Sequence, residues 1–133
     1  MAIILITHDL GVVARMADQV AVMYAGEIVE RGSVDDVFYR SAHPYTLGLK
    51  QAMPGNQRHE VLRPIEGSPP DLFAPPSGCA YTARCPHAMK ICEDRHPLRF
   101  QVSEQHESLC WLQHEQAPRP PQLSATDALE SRT

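Results

Sequence analysis

No apolar run in this sequence is long enough to cross a bilayer. The first such run, residues 2–6, has no basic region before it and reads as neither a signal peptide nor a membrane span. Positive charge is scarce: 12 Lys and Arg against 16 Asp and Glu leave a formal net charge of −4. Without a basic footprint, nucleic acid is not an expected partner. Aromatic residues make up only 6% beside 12 prolines, so part of the chain is expected to be extended and loop-rich. The loop G-x-x-x-x-G-K-[ST] is absent, and with it the amide nest and lysine that hold β- and γ-phosphates. No cysteine precedes position 79, and the four that follow form no C-x2–4-C knuckle. These absences point to a soluble, cytosolic protein, in which clustered cysteines serve metal or catalytic chemistry before disulfides.

At 133 residues the chain suits one modest domain or two small units. Residues 2–7 are apolar and β-branched, the pattern of a strand buried on both faces of a parallel sheet. Asp9 is placed to cap a helix whose apolar positions are Leu10, Val13, Ala14 and Ala17. A second strand is expected over residues 19–24, a tight turn at Ala25-Gly26, and a more polar strand over 27–31, near an edge. Ser33 is the expected N-cap of a helix to about Arg40, with Asp35 and Asp36 in its first turn. His43-Pro44 breaks that helix, and residues 45–53 read as another. From Pro54 a proline-rich wrapping segment follows, with one short strand expected around 60–65. The residues after His114 are polar, proline-rich and without periodicity, as expected of a disordered tail.

A histidine at the end of a buried parallel strand, here His8, stands where open α/β sheets bind ligands. A capping or core role is the plainer alternative. The stretch "ILITHDLGVVARMADQVAVMYAGEIVERGSVDDVF" resembles the end of an ATP-binding-cassette (ABC) nucleotide-binding domain. In that family the strand ends in a switch histidine, and His8 matches it. The resemblance implies that His8 contacts the γ-phosphate of ATP and helps to position the attacking water across a dimer interface, chemistry that rests on positioning and charge. The Walker A loop, the Gln loop, the signature loop and the acidic end of the Walker B strand have no counterpart here. This polypeptide alone is therefore expected not to hydrolyse ATP.

"SAHPYTLGLKQAMPG" resembles a narrower branch, the ATPase subunits of peptide- and nickel-type importers, which carry HPYT just after the cassette. As physics, His43, Pro44, Tyr45 and Thr46 form a helix connector, and no ligand role is assigned to them.

The cysteines are spaced Cys79-x5-Cys85-x6-Cys92-x17-Cys110. A zinc site, an iron–sulfur cluster and reduced buried thiols are all compatible with that spacing. Pro86 suits the first position of a helix to about Ile91, whose amide end would lower the pKa of Cys85. Such a helix would hold Cys85 and Cys92 about 10 Å apart at 1.5 Å per residue. That is beyond the roughly 7 Å reach of a disulfide, and awkward for one zinc. The pattern "P.GC.Y..RCP.AM..C", then "HP" and a final cysteine, resembles the C-terminal extension of the same importer ATPases. Some members bind a 4Fe–4S cluster there, which implies ligand roles for Cys79, Cys85, Cys92 and Cys110. His87, His96, His106 and His114 are then surface histidines. A structural staple is the expected role of the cluster, and a redox or iron-sensing brake the sharper alternative.

Together these resemblances imply an α/β fold: a remnant of an ABC-type P-loop NTPase domain over residues 1–41, a small irregular cysteine-rich extension over 42–114, and a tail over 115–133. In the intact subunit they imply ATP and Mg, a second ABC ATPase as partner, two membrane permeases and, indirectly, an extracytoplasmic solute-binding protein. The location implied is cytoplasmic, peripheral on the inner face of the membrane. A stand-alone metal-binding or regulatory module is the alternative.

Overall fold

The computed structural model describes residues 1–53 and 64–120. Helix α1, Leu10–Met16, is capped by Asp9, whose carboxylate accepts from the amides of Gly11 and Val12. Strands β1, Gln19–Tyr24, and β2, Glu27–Ser33, form an antiparallel hairpin. Its turn places Ala25 and Gly26 at φ 51° and 82°, the left-handed pair that matches the twist of the flanking strands. Ser33 caps α2, Val34–Tyr39, by accepting from the Asp36 amide at 3.1 Å. Helix α3, Pro44–Gln51, begins with Pro44 at its first position and His43 as its cap. Helix α4, Lys90–Asp94, and strands β3, Arg99–Ser103, and β4, His106–Leu109, complete the regular elements.

The strands form one antiparallel sheet in the order β1–β2–β4–β3. β2 is thus an inner strand, not the edge its polarity suggested, because Glu30 and Arg31 pair with Ser108 and Glu107 of β4. The Arg31–Glu107 ion pair, at 3.0 Å, covers part of that polarity. A register shift after Val22 inserts one extra residue in β2, so Val29 and Glu30 both turn inward. The core gathers Val20, Val22 and Tyr24 of β1, Val29, Val37 of α2, and Tyr81. Each buried side chain of this size contributes about 1.5–3 kcal/mol against exposure.

Two further expectations are corrected. Residues 2–7 form no strand: they pair with nothing among the described residues, and Ile4 and Ile6 are over 90% exposed. A strand apolar on both faces needs a ladder partner on each side, which no described segment supplies. The helix expected from Pro86 is a turn closed by the Ala88 amide on the Cys85 carbonyl; α4 starts only at Lys90, after an extended Met89. The strand expected around 60–65 falls mostly outside the described residues, and Pro64 and Ile65 are not in a strand. The tail lies outside the described residues from position 121. No described helix is long and apolar enough to cross a membrane.

Candidate functional site

The four cysteines sit in four different local settings. Cys79 follows Gly78, which is buried and packed so closely that a Cβ there would collide with the Cys92 carbonyl and lie 2.6 Å from that of Glu93. This close approach lets the Cys79 amide donate to the Cys92 carbonyl at 2.7 Å, with the Thr82 hydroxyl donating to the same oxygen at 3.0 Å. Cys85 closes the short 3-10 turn Thr82–Arg84. Cys92 sits in the first turn of α4, and Cys110 directly follows β4.

Every pair among the four thiols is within electrostatic reach. Burial pushes the Cys79 thiol up, Cys85 to about 11 and Cys110 to about 12. The expected lowering at Cys85 is therefore corrected: no helix starts there, and desolvation outweighs the one amide it receives. Each sulfur nevertheless takes a backbone N–H: Cys79 from Tyr81, Cys85 from His87, Cys110 from Leu112, and Cys92 from Met89 at 3.4 Å. Donors of this kind stabilise a thiolate once a metal has displaced its proton. The cysteines are all free of disulfide bonds. Among the described residues, no group of three or more His, Cys, Asp or Glu side chains is arranged to hold a metal ion.

Beneath the cysteines lies a polar network that the sequence did not reveal. Glu30, fully buried, accepts from the amides of Ala42 at 2.8 Å and His43 at 3.2 Å, and its carboxylate lies 2.7 Å from His106 Nε2. His106 is 1% exposed, so it is no surface histidine. His87 and His114 are half-buried, and His96 is exposed beside Glu27. His43 is buried as well: its Nδ1 accepts from the Tyr45 amide at 3.0 Å, and its ring bonds the Leu109 carbonyl. Burial drives the His43 pKa down to about 3, so the ring is neutral. HPYT is thus more than a connector, and the Tyr45 ring packs at a tilt against those of Tyr24 and Tyr81. The signal that could have found Glu30 is the hairpin bulge, which breaks the strand alternation by one residue. His8 is exposed just before the cap of α1 and takes no part in this group.

Residues 29–92 match the family described as "Oligopeptide/dipeptide transporter, C-terminal region". The chain is 50% identical over 117 residues to the dipeptide transport ATP-binding protein DppD of Bacillus subtilis, covering 87% of this chain and 35% of that protein. It is 52% identical over 125 residues to the oligopeptide transport ATP-binding protein OppD of the same organism, covering 91% and 35%. Against the OppD of Salmonella typhimurium the identity is 52% over 99 residues, covering 73% and 29%. The chain spans about a third of the length of the curated relatives it matches. With the end of β2, the HPYT segment and three of the four cysteines inside the matched region, the chain belongs to the family of peptide ABC transporter ATP-binding subunits and corresponds to their C-terminal part.

Proposed function

We propose that this chain is part of the ATP-hydrolysing subunit that powers peptide import through an ABC transporter. The observation that carries the reading is its identity of about half, over most of its length, to proteins named for dipeptide and oligopeptide transport and ATP binding. In that subunit His8 is the switch residue, which touches the γ-phosphate and orients water while motifs outside this chain hold ATP and Mg. The partners are a second ATPase subunit, two membrane permeases and, indirectly, an extracytoplasmic solute-binding protein, at the cytoplasmic face of the membrane. Residues 1–41 are the cassette remnant and residues 42–114 the extension.

Cys79, Cys85, Cys92 and Cys110 hold a 4Fe–4S cluster. Two features support this: four soft thiols within electrostatic reach of one another, and one backbone amide donor at each sulfur. When bound, the cluster supplies metal–thiolate bonds that staple a region with few large apolar side chains. The residues around it keep the sulfurs dry and oriented.

The subunit reading is tested by the coding DNA that precedes this chain and by the chain's own affinity for ATP. An in-frame Walker A and signature motif upstream, with no measurable ATP binding by the chain alone, is the expected result. Upstream DNA without those motifs overturns it and leaves a stand-alone metal-binding or regulatory module.

A further inference from the structure

Seventeen residues separate Cys92 from Cys110, so the fourth thiol is brought to the other three by something other than its own local turn. Local bonds hold the first three: the Cys79 amide on the Cys92 carbonyl, the Thr82 hydroxyl on the same oxygen, and the 3-10 turn between Cys79 and Cys85. Cys110 is carried by β4, which is held in the sheet between β2 on one edge and β3 on the other.

Its other anchor is the start of HPYT. The Ala42 carbonyl accepts from the Ser108 hydroxyl at 2.9 Å and from Gln113 Nε2 at 2.8 Å, bonds that flank Cys110 on either side in sequence. The amides of Ala42 and His43 are held by Glu30, whose carboxylate also takes His106 at the start of β4. The His43 ring lies against the carbonyl of Leu109, the residue before Cys110. Gly32 adds shape, since a Cβ there would come within 3.1 Å of the His106 ring. Ser108, Glu30 and His43 are almost wholly buried, so these bonds work where water does not compete.

We propose that Glu30 and the Ala42-His43 pair form a seat that positions the Cys110 arm against the other three cysteines, making His43 of HPYT a positioning residue for the metal centre. The purpose of the seat rests on the cluster reading above; its geometry does not. A histidine fits because one ring both accepts from the Tyr45 amide that starts α3 and bonds a β4 carbonyl. A shorter amide side chain performs only the first task.

The test is site-resolved alkylation of the reduced, metal-free full chain by iodoacetamide, read at each cysteine by mass spectrometry. In His43→Asn, which keeps an acceptor for the Tyr45 amide, Cys110 is expected to react about fivefold faster, the factor that one net hydrogen bond contributes. Cys79, Cys85 and Cys92 are expected to change by less than about twofold on the same scale. Ser108→Ala, which leaves the Ala42 carbonyl its bond to Gln113, is read in the same way should His43→Asn unfold. Equal acceleration at all four thiols in both variants, or none at Cys110, overturns the seat. Iron and zinc content of the unmodified chain, measured beside it, reports on the cluster alone, so the two readings fail separately.

Discussion

A buried neutral histidine makes the molecule sensitive to acid through one residue. Desolvation lowers the His43 pKa to about 3, against a bond to the Leu109 carbonyl that raises it, while the unfolded chain holds histidine near its usual 6.5. Between those values the unfolded state binds the extra proton, so the stability from neutral His43 is full above about pH 6.5 and lost as pH falls toward 3. The loss between pH 7 and pH 5 is roughly 2 kcal/mol. Thermal unfolding should show a clear fall in Tm across that range, and a shallower one in His43→Asn, which cannot titrate. Parallel slopes in the two proteins contradict the buried neutral ring. Residues of this kind were poorly legible in the sequence. His43, Glu30 and His106 are 13 and 76 positions apart along the chain, and only the folded sheet shows that they share one buried site. The cysteines were legible as a group because their type alone limits the chemistry, whereas the amides aimed at their sulfurs were not.

Elements governed by neighbouring residues formed as their sequence dictates. Asp9 and Ser33 cap α1 and α2, and Ala25-Gly26 turns the hairpin, since a carboxylate, a hydroxyl or a left-handed pair acts within three or four positions. Ala25 at φ 51° carries a strain that asparagine bears more easily. Ala25→Asn should therefore stabilise the chain by about 0.5–1 kcal/mol, visible as a higher Tm or a higher denaturant midpoint at unchanged slope. An unchanged or lower midpoint sinks the left-handed assignment. Elements set by distant contacts were less legible. β2 looked like an edge until β4 joined it from 76 positions away. α4 starts at Lys90 instead of Pro86 because the chain after Cys85 closes a single turn and Met89 is extended.

Across the whole molecule, one sheet joins strands from residues 19–33 to strands from 99–109, and the segment between them carries HPYT and three of the four cysteines. Two parts that differ in composition thus share a single framework. The apolar residues 3–6, exposed here, have the pattern of a strand covered on both faces, in keeping with a chain that spans about a third of its relatives. The cluster proposed for Cys79, Cys85, Cys92 and Cys110 requires this framework to present all four thiols together. Anaerobic purification of the full chain, followed by iron, sulfide and zinc analysis with a visible spectrum, tests it directly. About four irons and four sulfides per chain with a brown chromophore are predicted; a colourless protein with one zinc, or with no metal, contradicts it.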